Sequence, residues 1–283
     1  MEKRKRLPSW LKMQRAAGGN YTAVKKVVET KGLHTICVSG ACPNIGECWN
    51  AGTATFMILG EICTRACKFC ATKTGRPSPP DPNEPERLAE AVKALNLRHC
   101  VITSVDRDDI PDRGAGHWAA TVKRIKEMNG ATTIECLIPD FDGDISFIKK
   151  VIDAKPEVIS HNMETVRRLT PLIRSKADYD RSLRVLNYIA ESDITAKSGL
   201  MLGLGETKEE IIEAINDIFN SGCSVLTLGQ YLQPSFKHIE VVKYYTPEEF
   251  EEYRQIALSV GFRFVESSPL VRSSYRAEKH VMS

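Results

Sequence analysis

The chain predicts an α/β fold built on parallel strands, and three observations carry that expectation. Between residues 54 and 265, β-branched apolar stretches alternate with amphipathic helical ones, without low-complexity sequence or a break in composition. Six strand–helix units occur in that span, and such repetition implies parallel strands joined by right-handed crossovers. The length, 283 residues, suits one large unit with extensions, because α/β barrels of ~200–250 residues commonly form a single domain. Six units favour an open, partial (β/α)6 barrel of the TIM type over a closed eight-stranded one, with a doubly wound sheet as the alternative topology.

In chain order, strands are expected at 54–60 (ATFMILG), 99–104 (HCVITS), 132–137 (TTIECL), 157–160 (EVIS), 194–201 (ITAKSGLM) and 224–228 (SVLTL). Each is bounded by polar residues or glycine. Helical patterns fall at 85–96, 115–128, 144–154, 164–170 with 179–191, 207–220 and 247–260. The expected organisation is an N-terminal extension over 1–52, the barrel over 53–265 and a C-terminal segment over 266–283. In a barrel of parallel strands, function gathers at the carboxyl ends of the strands, so both extensions are expected to cover the mouth there.

Composition excludes several classes of function. With 42% hydrophobic residues, 27% charged residues and a formal charge of only +3, the chain reads as a globular enzyme that requires no nucleic acid. It has no apolar run near the ~18 residues of a membrane span, and its first residues lack an apolar signal segment. The expected location is the cytoplasm. Lys3-Arg4-Lys5-Arg6 is expected to be a solvated, poorly ordered tail, with docking to an acidic partner as its functional alternative.

Six of the nine cysteines lie between residues 37 and 70 in two triplets. Cys37, Cys42 and Cys48 are spaced C-x4-C-x5-C; Cys63, Cys67 and Cys70 are spaced C-x3-C-x2-C. The second triplet follows the first expected strand, at the catalytic end of the barrel. Disulfides suit short secreted chains, which this is not. Structural zinc usually takes four ligands and each triplet is one short, although His34 offers a fourth to the first. Lys68-Phe69 inside a C-x2-C also resembles a thioredoxin-like pair. A [4Fe–4S] cube held by three thiolates leaves one iron open to another ligand, and that is the favoured reading of both triplets. Cys100, Cys136 and Cys223 lie singly in apolar segments and read as buried thiols.

The segment Cys63-Thr64-Arg65-Ala66-Cys67-Lys68-Phe69-Cys70 resembles the signature of the radical S-adenosylmethionine enzymes, in which an aromatic residue precedes the third cysteine. That resemblance implies a partial (β/α)6 barrel with a [4Fe–4S] cluster whose open iron is chelated by S-adenosylmethionine. It narrows to the lipoyl synthase family at 33–50 (LHTICVSGACPNIGECWN), 57–70 (MILGEICTRACKFC), 103–112 (TSVDRDDIPD), 161–166 (HNMETV), 197–207 (KSGLMLGLGET), 228–235 (LGQYLQPS) and 271–277 (VRSSYRA). Val38-Ser39 stand where most members have acidic residues, and Ala66 stands where arginine is common. Neither change removes a ligand.

The resemblance implies a sulfurtransferase that inserts two sulfur atoms, at C6 and C8 of an octanoyl group on a carrier-protein lysine. It implies two [4Fe–4S] clusters and two molecules of S-adenosylmethionine, with the second cluster consumed as the sulfur source. Implied partners are an octanoylated carrier (an E2 lipoyl domain or a glycine-cleavage H protein) and an electron donor such as ferredoxin or flavodoxin; the sequence does not encode an oligomeric state, and a monomer is the simplest expectation. Cys63, Cys67 and Cys70 are the implied ligands of the radical-generating cluster. Cys37, Cys42 and Cys48 hold the sacrificial one, with Ser273 of Arg272-Ser273-Ser274-Tyr275 as its fourth, catalytically important ligand and Ser274 as the second choice.

For S-adenosylmethionine itself, Phe69 is placed near the adenine. Thr103, Ser104, Asp106 and Arg107 suit the methionine amino and carboxylate groups, and Asn162 and Glu164 suit the ribose. Lys197, Gly199, Gly203 and Glu206 resemble a glycine-containing adenine strand. Radical hydrogen abstraction needs no histidine as catalyst, so His161 is expected to orient a loop or ligand. Two other classes remain: an iron–sulfur electron-transfer or scaffold protein, and a zinc-structured binding module.

Overall fold

The computed structural model describes residues 7–11, 19–51 and 53–280; the Lys3-Arg4-Lys5-Arg6 run lies outside them. Among the described residues ten strands form: β1 (His34–Thr35), β2 (Thr55–Ile58), β3 (Ile62–Cys63), β4 (Lys73–Thr74), β5 (His99–Ser104), β6 (Thr133–Leu137), β7 (Val158–Ser160), β8 (Thr195–Leu202), β9 (Val225–Gln230) and β10 (Phe264–Ser267). Eight make one open sheet in the order β1-β2-β5-β6-β7-β8-β9-β10, and β3 pairs with β4 separately. Every pairing in the large sheet is parallel except β1 with β2. All six expected strands are present within it. Two members were not anticipated: β1 attaches the N-terminal extension to one edge, and β10 closes the other edge while crossing the expected boundary at 265. Both are short, and neither carries a long β-branched run.

Parallel register brings the carboxyl ends of the strands together. Ile58 stands opposite Ser104, Thr103 opposite Leu137, Leu137 opposite Ser160, and Ser160 opposite Lys197. Between strands run the helices Glu84–Ala94, Ala115–Met128, Ile145–Asp153, Tyr179–Ala190, Lys208–Asn220 and Pro247–Val260. Their apolar residues recur every three or four positions, so each buries one face on the sheet. Trp118, Val122 and Ile125 do so on the second helix, and Ile211, Ile215 and Ile218 on the fifth. Each such fully buried side chain contributes about 1.5–3 kcal/mol of transfer free energy. Capping boxes at Thr207/Glu210 and Thr246/Glu249 start the last two helices by satisfying amide groups that have no partner within the helix.

The helix expected over 164–170 does not form. Glu164 takes a left-handed backbone (φ 65°) and makes an isolated parallel bridge with Leu200, which ends any helical path through that position. Its N–H donates to Gly199 O and its carbonyl accepts from Met201 N, so β8 captures the segment instead. A short helix, Thr170–Ile173, follows with Pro171 in its first turn.

Candidate active site

A cavity of about 750 Å³ opens at the carboxyl ends of the strands. Thr55 and Met57 of β2, Thr103 and Ser104 of β5, Leu137 of β6, Gly199 of β8 and Thr227 of β9 all line it, so the sheet curls around it. Both extensions add walls: Cys37 and Gly40 to Pro43 from the N-terminal side, and Val271 to Ser274 from the C-terminal side. Five of the six triplet cysteines face the cavity, Cys48 being the exception.

The second triplet hangs on β3 and the loop after it. Arg65 N and Asp106 N both donate to Cys63 Sγ, at 3.4 and 3.3 Å, which favours the thiolate. A turn closes Cys70 N onto Cys67 O at 3.1 Å. His238 and Cys70 O are joined at 3.0 Å through Nε2, and Ile239 N donates to Lys68 O at 3.1 Å, so the loop after β9 clamps the triplet from outside. Beneath it, Arg65 pairs with Asp106 (3.3 Å), Asp108 (2.9 Å) and Asp140 (2.8 Å) with its side chain almost wholly buried. A planar guanidinium can engage several carboxylates at once, which an ammonium cannot.

The first triplet is folded by two short helices, Ile36–Ser39 and Ile45–Asn50. Thr35 caps the first of these through its side chain, and Cys42 N donates to Cys37 O at 3.0 Å. The C-terminal segment is stitched across it. Asn44 Nδ2 donates to Leu270 O at 2.7 Å, Thr55 Oγ1 to Ser274 Oγ at 2.8 Å, and Tyr275 OH to Glu47 Oε1 at 3.0 Å. Gly229 on β9 makes the close approach possible, since a Cβ there would meet Val271 O at 2.2 Å. Ser273 Oγ thereby reaches the cavity, where Asn162 Nδ2 donates to it at 2.6 Å.

Burial raises the triplet thiols Cys48 and Cys63 as it raises those of the singly placed Cys100 and Cys223, and at the two triplet thiols neighbouring charges add to it. Burial, then the neighbouring Cys42 and Cys37, push Cys48 up to about 12. Burial, then Asp106, push Cys63 up to about 12, and burial pushes Cys67 up to about 11 against the opposing charge of Arg174. Clustered thiols that repel one another's ionisation need a cationic centre among them before they can act as thiolates. Among the described residues, no three His, Cys, Asp or Glu side chains converge as a single metal ion requires. A four-iron cube is larger and takes ligands that stand further apart.

Of the residues expected to contact the cofactor, Phe69, Thr103, Ser104, Asp106, Asn162, Glu164 and Gly199 line the cavity. Ser104 Oγ and Asn162 Oδ1 are buried there without a hydrogen-bond partner in the protein. Four expectations are corrected. Lys197 is fully buried within the barrel, both Glu135 oxygens accepting from its Nζ at 2.8 and 2.9 Å. Arg107 is spent on Asp109 and the carbonyl of Leu59. The Glu206 carboxylate accepts from Gly203 N (2.5 Å) and Leu204 N (2.9 Å), so it and Gly203 shape the loop after β8 outside the cavity lining. In each case a partner within the protein engages the group first. His161 is likewise engaged at both ring nitrogens, with Ile138 O and Ser182 Oγ. Arg174, Asp140 and His238 escaped the sequence reading, because nothing local marks them.

The model of the Radical SAM superfamily matches residues 57–218. The lipoyl synthase of Parabacteroides distasonis is 59% identical over 276 residues, covering 98% of each chain. The chain belongs to the lipoyl synthase family. The lipoyl synthase of Phocaeicola vulgatus is also 59% identical, covering 97% of this chain and 96% of its own. The crystal structure of Streptococcus suis SuiB bound to precursor peptide SuiA shares the fold, with a TM-score of 0.58 at 12% identity over 79% of this chain and 50% of that one.

Family membership brings S-adenosylmethionine and a [4Fe–4S] cluster. The site fits both. Cys63 accepts from two backbone N–H donors, and the Arg65 guanidinium is buried beside the triplet. Two buried polar atoms await a polar ligand, and a Cβ on Gly199, which would come within 2.5 Å of Thr227 Oγ1, is absent from the lining.

Proposed function

We propose that the protein inserts sulfur at C6 and C8 of an octanoyl group carried on a lysine of a carrier protein, completing a lipoyl group. The observation that carries this reading is the meeting, in one cavity, of the second triplet, Cys37 and Cys42 of the first, and Ser273, which is 236 positions beyond Cys37 in the chain (273 − 37). An electron carrier or a scaffold has no use for such an enclosed chamber between two cysteine sets.

In this reading Cys63, Cys67 and Cys70 hold the first cluster, and Cys37, Cys42 and Cys48 with Ser273 hold a second. When bound, these groups and S-adenosylmethionine supply a primary carbon radical able to take hydrogen from an unactivated carbon, together with the sulfur that replaces it. The chain supplies position. Arg65, locked by three aspartates, fixes the Cys63 loop; the His238 contact fixes Cys70. Ser104 Oγ donates to or accepts from the polar parts of S-adenosylmethionine, Asn162 Oδ1 accepts from them, Asp106 and Glu164 add carboxylates, and Phe69 packs on its adenine. Met57, Leu137, Leu232 and Val271 give the octanoyl chain an apolar lining that keeps water from the reacting carbon.

The carrier is an E2 lipoyl domain or a glycine-cleavage H protein, the reductant a ferredoxin or flavodoxin, and the active unit a cytoplasmic monomer. Among the described residues no helix is long and apolar enough to cross a membrane. Anaerobic single turnover on an octanoyl-lysine peptide tests the proposal. Lipoyl product, 5′-deoxyadenosine and about eight irons per chain are expected; zinc in place of iron, or no sulfur transfer from a fully loaded chain, refutes it.

A further inference from the structure

The loop of the second triplet is flanked on its outer side by two others, and the three share one property. Lys68 N donates to Ile173 O at 2.8 Å, Ile239 N to Lys68 O at 3.1 Å and Ala66 N to Ser175 Oγ at 3.1 Å. The stretches 62–76, 170–177 and 231–239 therefore converge on Lys68. Together they hold seven Lys or Arg and no Asp or Glu, in a chain whose 39 basic and 36 acidic residues nearly balance. Arg65 and Arg174 turn inward, one to buried aspartates and the other to the cavity. The other five, Lys68, Lys73, Arg76, Lys176 and Lys237, are exposed, and none of them lines the cavity. Lys73 is paired with Glu61 and Lys176 with Asp108, while among the described residues Lys68, Arg76 and Lys237 form no ion pair. Leu172, 56% exposed, stands on the same three loops.

We propose that this basic face docks the protein that reduces the first cluster, a small acidic one-electron carrier holding a low-potential flavin or iron–sulfur centre. This rests on the reading above that Cys63, Cys67 and Cys70 hold the radical-generating cluster. A face of one sign attracts a partner of the other and speeds their encounter. Redox partners meet through small, transient interfaces of less than about 1,200 Å², so three loops are enough. Position selects the reductant over the octanoylated carrier. Electron transfer slows steeply with separation, and Lys68 lies between Cys67 and Cys70, so a donor seated on it approaches the cluster by the shortest way in from solvent. Elsewhere the triplet is backed by the Arg65–aspartate network and by the cavity. The cavity mouth belongs to the octanoyl arm. Two sulfur insertions on one arm need an electron before each, and the second has to enter while the arm is in place. A docking face outside the mouth lets both partners sit on the chain together; the donor's centre is oxidised by one electron as the cluster is reduced by one.

The full chain, loaded anaerobically with both clusters, provides the test. Cluster bleaching is followed by rapid mixing with reduced flavodoxin or reduced ferredoxin, and separately with reduced methyl viologen, a small cation that a basic face does not attract. With the protein donors the wild-type rate should fall as salt is added. Lys68→Glu combined with Lys237→Glu should lower it roughly ten- to a hundredfold. Calorimetric binding of oxidised flavodoxin should weaken in parallel. Methyl viologen should reduce the variant no more slowly than the wild type, and arginine at both positions should keep the wild-type behaviour. A saturating octanoylated carrier domain should leave the rate unchanged. Undiminished rates with both protein donors in the double variant overturn the proposal, and full competition by the carrier overturns it by making the face the carrier's. Should Lys68→Glu disturb cluster loading, Lys237→Glu alone, on a loop without a cluster ligand, should still slow the protein donors by at least about threefold, and no effect there overturns the proposal as well. A loaded chain that forms no 5′-deoxyadenosine with methyl viologen and S-adenosylmethionine overturns instead the reading of the second triplet, an outcome in which no protein donor takes part.

Discussion

Gly229→Ala separates the two halves of the site. The new methyl carbon would lie 2.2 Å from the carbonyl oxygen of Val271 and 3.1 Å from its carbon, so something must move by about 1 Å to restore ordinary contact. β9 is hydrogen-bonded on both sides, to β8 and β10. The C-terminal segment is held by a few bonds, chiefly Gln230 N to Pro269 O and the contacts of Asn44, Thr55 and Asn162. Each is worth about 0.5–1.5 kcal/mol, while overpacking costs about 1–3 kcal/mol. The segment therefore yields before the strand does, and Ser273 leaves the cavity.

Iron analysis and thermal unfolding of the anaerobically loaded variant check this. Iron should fall from about eight toward about four per chain, while 5′-deoxyadenosine still forms and lipoyl product does not. The melting temperature should drop by only a few degrees, as expected for about 1–3 kcal/mol in a chain of this size. A Gly229→Ala protein with full iron and normal product would refute the claim that β9 seats the serine.

Three further outcomes are expected. Lys197→Met strips the partner from Glu135, both side chains being wholly buried, and should destabilise the protein by about 3–5 kcal/mol in denaturant titration, with Glu135→Leu in the same chain restoring most of the loss. Arg65→Lys loses the fork that spans Asp106, Asp108 and Asp140; it should cost about 1.5–3 kcal/mol and loosen the first cluster, read as faster iron loss from that site. For His161, burial, then Arg174, lower the imidazole to about 4, whereas the unfolded chain protonates it near 6.5. The unfolded state then binds more protons between those values, so stability is full above pH ~6.5 and declines as pH falls toward 4. His161→Gln should flatten that part of the cluster-free chain's stability profile; an unchanged slope would refute it.

The strands were legible because they are local. Stretches such as HCVITS and SVLTL combine β-branched residues with polar boundaries, and each forms within two residues of its expected span. Glu164 defeated the helical pattern because a partner 36 positions away, Leu200, claimed its backbone (200 − 164). Side-chain direction was less legible than strand position. Lys197 and Gly199 lie on one strand, yet one is locked to Glu135 within the barrel and the other lines the cavity; no property of KSG separates those roles.

By itself the sequence determined which thiols stand together. Cys63, Cys67 and Cys70 lie within eight residues, so covalent geometry alone keeps their thiols close, and the same holds more loosely for Cys37, Cys42 and Cys48. The tertiary structure decided what those sets meet. Placing Ser273 near the first triplet closes a loop of more than 220 residues, an entropic cost that local spacing cannot offset. It is offset by the packed barrel, by the edge pairing of β1 and β10, and by the side-chain hydrogen bonds that seat residues 270–275 across the mouth.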